Sequence, residues 1–441
     1  MSLLNNLNTA SSGLGVSSTS MSVIGDNIAN LNTVGFKGSR ANFGDLLPND
    51  VGGLSGMSSI GTGAATDTVA TLFGQGSIEG TNNSLDMAIN GGGFFMVRSG
   101  DEMMYTRAGQ FGYDDNGYIV TAGGMRLQGY GAEGGVIGRQ ITDLRVDTPT
   151  TPPNLTSMIS MSANLDSSVD PTDTPIADGT VVADGATSTI NAFASAGDFS
   201  SSVTVYDSLG EAHEVTVVYE KTADNTWSYY AVVDAGELDG GGTEGNAFLI
   251  SSGELSFDTD GQLTGFTQNN VRDTGTPWSF LGAEPGDYDL QFGVDVNGLP
   301  TEGGITQNAG DSAVSAVSQD GYGLGYLSSV EIDQDGVLVG TYTNGEELQL
   351  GQVLLANFPG QGGLERVGGS MYKATISSGE PAVGVAGTAG RGDLIGAALE
   401  GSNVELEDQF VNMIGAQRSY QANSRVFSST NDLLQELVNL V

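Results

Sequence analysis

Apolar residues recur every seven positions at both ends of this 441-residue chain, and that spacing limits what it can fold into. Near the start, Leu7, Leu14, Met21 and Ile28 form one series, and Leu3, Ala10, Ser17, Ile24 and Leu31 form the interleaved one. Toward the end the period returns in Leu406, Met413, Tyr420, Phe427, Leu434 and Val441. Gln409, Ala416, Asn423, Thr430 and Leu437 accompany it, and Phe410 adds to the stripe. A period near 3.5 places such residues along one seam of a helix, and a seam requires a partner.

The first helix is a poor one by itself. Residues 1–33 carry a single charge, Asp26, and include Gly13, Gly15 and Gly25. Each interior glycine costs about 1 kcal/mol relative to alanine, so the segment is expected to be helical only when its seam is covered. A helix with almost no charge on any face is usually enclosed by protein. One partner helix cannot enclose it, whereas neighbouring copies can, so the seams favour a polymer of identical chains over an ordinary antiparallel or parallel helix pair in a monomer's core. The C-terminal helix has a start signal: Ser402-Asn-Val-Glu405 reads as a capping box, with Glu407 and Asp408 in the first turn where the helix dipole favours acids.

Composition removes several function classes. Fourteen basic residues face 53 acidic ones, a net charge of -39, which leaves no Lys/Arg patch for nucleic acid or an anionic membrane. The absence of cysteine excludes disulfides, thiol catalysis and Cys-ligated zinc. No apolar run approaches the ~20 residues that span a bilayer, and no basic residue precedes Leu3-Leu4 as a secretory signal would require.

The middle is β. Sixty-eight glycines punctuate short β-branched and aromatic runs, which predicts many short strands with tight turns. Three segments share one design, entering and leaving an Asp-X-Asp/Asn-Gly turn at Asp114–Gly117, Asp258–Gly261 and Asp333–Gly336. Asp tolerates turn geometry and Gly supplies positive φ, so these read as hairpins rather than calcium loops, which need further ligands between two helices. Val203–Gly210 into Val215–Tyr219 reads as another hairpin. Residues 36–72, rich in Gly and Ser, read as an extended or irregular connector. From Thr148 the composition shifts to Ser, Thr, Ala and Asp, with no Lys or Arg between Arg145 and Lys221, as at the entry to an inserted domain.

No catalytic, cofactor or metal constellation stands out. The lone histidine, His213, reads as a surface or turn residue. The Gly-rich stretches lack the strand, spacing and Gly-Lys-Ser/Thr ending of a phosphate loop. Arg391-Gly-Asp393 is a tripeptide known in integrin ligands, and it reads as chance in so Gly-rich a chain.

Taken together, Asp26-Asn-Ile-Ala-Asn30 with Thr33-Val-Gly-Phe-Lys37 resembles the N-terminal signature of the bacterial flagellar rod and hook axial proteins. Phe73–Gly76, Leu85–Phe95 and Tyr105–Phe111 are similar to the next shared block, and Ser402–Glu405 through Gln417–Asn423 to the closing helix. The family motif residues here are Asn27, Ala29, Asn30, Thr33, Gly35, Phe36 and Lys37. About 150 residues intervene in the middle, and Tyr206–Gly210 with His213 resembles a block of the hook-type members, unlike the shorter rod members. Asp26 departs from the Asn more usual there.

The resemblance implies a mainly β, discontinuous multi-domain protein whose terminal helices form a coiled-coil-like pair, with two β domains between them. The expected division is 1–33 with 402–441 as inner helices, 34–72 with 375–401 as connector, 73–147 with 306–374 as first β domain, and 148–305 as outer β domain. It implies a non-enzymatic, extracellular subunit of a curved, flexible tube that transmits torque in flagellar motility, without cofactor. Implied partners are other copies, the distal rod, the hook cap, the hook–filament junction proteins and the flagellar type III export apparatus. Export would use no cleaved signal. A distal rod protein of the same family and a secreted acidic adhesin are the alternatives.

Overall fold

The computed structural model describes residues 3–47, 49–53, 56–146, 149–172, 176, 189–240, 242–270, 278–286, 288–294 and 304–439. The chain forms two compact units: one comprises Met1–Pro149, Leu327–Thr341 and Glu347–Val441, the other Thr150–Tyr326 with Tyr342–Glu346. Three α-helices are described: α1 (Leu3–Ala29), α2 (Ile190–Ala194) and α3 (Leu406–Asn439). The rest of the regular structure is β, so the protein is mainly β with terminal helices that pack together.

In the first unit α1 and α3 run antiparallel, since Gly13 faces Asn423 while Asn27 meets Gln409. The seam follows the heptads. Ala10, Ser17 and Ile24 are buried on α1, flanked by half-buried Leu7, Leu14, Met21, Ile28 and Leu31. On α3, Thr430 is buried and Gln409, Met413, Ala416, Asn423, Phe427 and Leu434 are half-buried. The side chains of Leu3 and Leu437, and all of Val441, lie outside the described residues. Polar groups within α1 bond to their own helix: Ser17 Oγ donates to the Gly13 carbonyl at 2.8 Å.

Residues 36–72 are more regular than their composition suggests. Ser39–Asp45 pairs antiparallel with Ala64–Thr71, with a bulge at Asn42/Phe43, and Asn49–Gly53 pairs with Gly56–Ile60. The ribbon packs on α1, where the Ser12 hydroxyl accepts the Ala64 N–H at 3.3 Å. Beyond it, Phe94–Ser99, Glu102–Thr106, Arg126–Glu133, Glu347–Asn357 and Val337–Tyr342 build antiparallel ladders. Leu85, Met87, Ile89, Phe95, Val97, Phe111, Leu127 and Val353 form one core, and Phe94, Tyr105, Phe358 and Tyr372 an aromatic one. Period-2 alternation accounts for this: Phe94 and Phe95 point to opposite faces of one strand and feed different cores.

The second unit is an antiparallel meander of Phe199–Tyr206, Ala212–Ala223, Thr226–Asp234, Ala247–Phe257 and Leu263–Phe266. Val203, Val205, Val215, Val217, Tyr219, Trp227, Tyr229, Ala231 and Val233 alternate into its core. The core is shared with a smaller sheet centred on Met158–Asp166. Burial pushes the Tyr219 and Tyr229 phenols well above the ordinary tyrosine value. His213 is not a surface or turn residue: it is the second residue of the strand Ala212–Ala223 and is 7% exposed, because alternation from Val215 turns it inward.

The Asp-led turns are self-capped. Asp114 Oδ1 accepts the N–H groups of Asn116 and Tyr118, Asp258 Oδ1 those of Asp260 and Gln262, and Asp333 Oδ1 that of Val337, all at 2.8–2.9 Å. The closing glycines 117, 261 and 336 take φ of 80°, 75° and 80°. Each carboxylate thereby replaces a cation with backbone donors.

A methyl group at Gly13 would lie 2.5 Å from the Asn423 amide, whereas one at Gly15 meets nothing within 4 Å. Gly13→Ala is therefore expected to lower the melting temperature of the helical circular dichroism signal by prying the pair apart. Gly15→Ala should raise it, contributing up to about 1 kcal/mol of helix propensity.

Candidate functional site: the helix seam and the charge clasp at its base

The family-motif residues act at the point where α1 stops. Asn27 is 3% exposed; its amide donates to the Ser39 carbonyl (2.8 Å) and to Gln409 Oε1 (3.1 Å), and its Oδ1 accepts the Ser39 N–H (2.8 Å). It thus joins α1, the ribbon and α3. Ala29 is exposed at the last helical position. Asn30 turns back on Asp26, donating to its carbonyl at 2.9 Å, and accepts the Thr33 hydroxyl at 3.2 Å. Asp26 is held on its outer side by Arg366 at 3.4 Å, and the Arg366 guanidinium lies 4.5 Å over the Phe36 ring. The single charge of residues 1–33 is therefore locally paired.

Gly35 then adopts φ 64°, a left-handed conformation, pressed against the Arg107–Ala108 backbone where no Cβ would fit. Its N–H donates to the Glu400 carbonyl at 2.7 Å. That turn drives Phe36 (1% exposed) and Lys37 (0%) into the interior. There Lys37 Nζ meets Glu400 Oε1 at 2.6 Å and donates to the Gly74 carbonyl at 2.8 Å. Arg107 Nη1 approaches Glu400 Oε2 at 3.2 Å, and its Nη2 donates to the Gly91 carbonyl at 2.8 Å. The Gly76 N–H also donates to Glu400 Oε1, at 2.9 Å. One carboxylate thus draws together the N-terminal motif, two glycine loops of the β core and the strand leading into α3.

Desolvation lowers both cations below their ordinary values, and attraction to Glu400 opposes it. A buried cluster of this kind is costly to assemble and costlier to half-remove.

Sequence reading missed Glu400 and Asn403. Asn403 Oδ1 accepts the Gly38 N–H at 2.8 Å, and its amide donates to the carbonyls of Leu72 (2.7 Å) and Gly74 (3.0 Å). The expected capping box does not form. Ser402 Oγ accepts the Val404 N–H at 3.3 Å, and the first helical bond runs from the Gln409 N–H to the Glu405 carbonyl. Ser402-Asn-Val is occupied in fastening the ribbon, so the helix begins three residues later than a Ser402 cap implies. A signal was present: in a chain so poor in cations, Lys37 and Arg107 inside apolar motifs call for a buried acid.

Not all predicted seam residues lie in the intrachain seam. Leu406 (40%), Phe410 (49%) and Tyr420 (40%) are exposed, as are Val411 (69%), Ile414 (48%), Val426 (50%) and Leu433 (51%). With Met413 and Gln409 as inward positions, Phe410 flanks one side of the seam and Val426 and Leu433 the other. Elsewhere, Arg391 folds back on its own loop, donating to the Val385 carbonyl at 2.9 Å, and Asp393 pairs in a strand with Asn90, so that tripeptide is no projecting loop.

Four family models match successive parts of the chain: Flagella basal body rod protein (residues 7–37), Flagellar hook protein FlgE/F/G D1 domain (88–164), Flagellar basal body protein FlaE D2 domain (164–322) and Flagellar basal body rod FlgEFG protein C-terminal (396–440). The chain is 36% identical over 438 residues to the flagellar hook protein FlgE of Escherichia coli (strain K12), covering 98% of each. It is 33% identical over 466 residues to that of Borreliella burgdorferi, covering 99% of this chain and 100% of the relative. Among solved structures, the flagellar hook protein FlgE2 of Helicobacter pylori aligns at a TM-score of 0.48 and 14% identity, covering 72% of this chain and 98% of that one.

Glu400→Gln should leave two buried cations facing a neutral amide and cost about 3–5 kcal/mol. The midpoint of urea unfolding measures it. Adding Lys37→Met to that variant is expected to recover part of the loss, because the pair is coupled.

Proposed function

This chain belongs to the flagellar hook protein family, and we propose that it polymerises into the hook, a curved, flexible tube that passes torque from rod to filament. The role is structural rather than catalytic. The observation that carries this reading is the apolar surface of α3 that one chain leaves uncovered. Helix α1 occupies a single seam, yet Phe410, Val426 and Leu433 stand exposed on its flanks and Val411 and Ile414 on the outer face. A soluble helix apolar on several sides is enclosed by protein, and a heterologous contact repeated with a rotation that does not close gives a helical tube.

In this reading the terminal helices line the tube and the β units lie farther out. The ribbon at 39–71 joins them. Other copies are the main partner; the distal rod, hook cap, junction proteins and type III export apparatus follow from family resemblance, as does extracellular placement without a cleaved signal. The net charge of -39 opposes close packing of copies, so assembly should strengthen with ionic strength as repulsion is screened. A distal rod member of the same family is the nearest rival, and the hook-type inserted segment at 164–322 favours the hook. An adhesin leaves the exposed helix flanks unexplained.

Phe410→Asp and Ile414→Asp are expected to leave the monomer's circular dichroism unchanged and to abolish tubes in electron micrographs. Ile24 and Phe427 lie in the intrachain seam, so Asp at either should also unpair the helices within one chain. Wild-type monomer should lose its termini to protease at rates that fall sharply in assembled tubes. Normal tubes from both flank variants would refute this use of α3.

A further inference from the structure

Four groups meet at the first hairpin of the second unit. Asp207 opens the turn Asp207-Ser-Leu-Gly210, and its Oδ1 accepts the N–H groups of Leu209 (2.9 Å) and Glu211 (2.8 Å), as in the other Asp-led turns. Unlike those, its side chain is 1% exposed and its Oδ2 faces His213 Nε2 at 3.6 Å. Glu211 is exposed beside them, and the donor atoms of Asp207, Glu211 and His213 lie within 4.8 Å of one another. From the other side of the ring, His213 Nδ1 contacts Glu237 Oε2 at 2.6 Å. The imidazole stacks on Phe280 with centroids 3.5 Å apart and planes 3° from parallel, which fixes the ring orientation.

The proton positions then decide what the site can hold. A carboxylate at hydrogen-bond distance from Nδ1 makes that nitrogen the donor, so in the neutral ring Nε2 carries a lone pair. Nε2 is buried and has no hydrogen-bond partner among the described residues. A lone pair aimed at a carboxylate oxygen 3.6 Å away is repulsive unless something positive lies between. That separation is long for a hydrogen bond. It is close to the roughly 3.4 Å between two ligands of a tetrahedral ion with bonds of ~2.0–2.1 Å. Carboxylate–imidazole–metal is also the usual second-shell arrangement, in which the outer carboxylate orients the ring and raises its basicity.

We propose that Asp207 Oδ2, Glu211 and His213 Nε2 form a binding site for a divalent first-row metal ion of the zinc type, with Glu237 positioning the imidazole. Solvent completes the coordination. One imidazole with two carboxylates suits zinc and its neighbours better than calcium, which takes oxygen ligands alone. Three carboxylates around one ring also make this a local cation trap in an already acidic chain. Coordination ties the turn to the strand it opens and, through Glu237, to the three-residue 3-10 turn Ala235–Glu237, so the ion would brace one end of the meander.

The test is calorimetric titration of the full-length, EDTA-stripped protein with zinc chloride in moderate salt, paralleled by cobalt(II) visible absorption and by calcium chloride. One zinc per chain, cobalt bands of tetrahedral intensity and a zinc-dependent rise in melting temperature are expected. His213→Ala should abolish all three, and Glu211→Gln, at an exposed position that leaves the turn intact, should weaken zinc at least tenfold. Glu237→Gln should weaken it about 10–100-fold, the range for loss of an outer-shell carboxylate. Weak multi-site binding unchanged by these substitutions, or calcium competing equally, would overturn the proposal. So would nitrogen-15 shifts showing both ring nitrogens of His213 protonated at neutral pH with zinc present, because an imidazolium bridging Glu237 and Asp207 would then explain the geometry.

Discussion

A single buried carboxylate sets the geometry on which the terminal part of this protein depends. Glu400 has no solvent to satisfy it, so it must be met by Lys37, Arg107 and the Gly76 N–H together. Lys37 reaches it only if Gly35 turns left-handed, and the chain turns there only if α1 has ended at Ala29. The clasp is not assembled for its net energy, since ion pairs withdrawn from water gain little over apolar packing. Its effect is on uniqueness, because any misplacement of the N-terminal motif strands an unpaired charge. Glu400 stands 363 residues from Lys37 and 293 from Arg107, so this part of the fold cannot close until almost the whole chain is present.

The use of the few cations follows the same logic. Lys37 and Arg107 serve Glu400, Arg98 and Arg126 both serve Asp143, and Lys221 donates to the carbonyls of Ser167 and Val169. Against partial desolvation, hydrogen bonds from Gln128, Arg98 and Arg126 hold the Asp143 carboxyl below its usual range. Basic residues are thus largely committed to fixing loops within the chain, and most acids are left facing solvent. Few cations are then left for charge complementarity between copies.

How much of this could be read from the sequence depended on how local the cause was. The heptads, the Asp-led hairpins and the two β regions are properties of neighbouring residues, and they were legible. The antiparallel sense of the helix pair was not, because either direction satisfies a seven-residue period. Ser402-Asn-Val-Glu405 carries a helix-start pattern, but Asn403 is claimed by Gly38, Leu72 and Gly74, and that tertiary demand outweighs a local cap. His213 looked solitary because the carboxylate that orients its ring comes from another turn: Glu237 is 24 residues away, and only strand pairing brings it to the ring. Glu400 was invisible among 53 acids until burial distinguished it.

The polarity of the seam resolves an apparent contradiction in the helix pair. Coiled-coil core positions taken by Ser17, Asn27, Gln409, Asn423 and Thr430 weaken the pairing, and Gly13, Gly15 and Gly25 weaken α1 itself. A polar residue in such a seam costs stability but specifies register. Asn27 bonding Gln409, and Gly13 leaving room for Asn423, permit one alignment of the two helices. A slip of one heptad would displace α3 by about 10 Å along α1, bringing Asn423 against Ser20 or Asn6 and leaving Asn27 buried without its partner. Every chain that pairs therefore presents Phe410, Ile414 and Leu433 at the same height and azimuth. A repeating tube needs that constancy more than it needs a strong pair, because neighbouring copies can supply the missing stability but cannot correct a subunit whose helices are out of step.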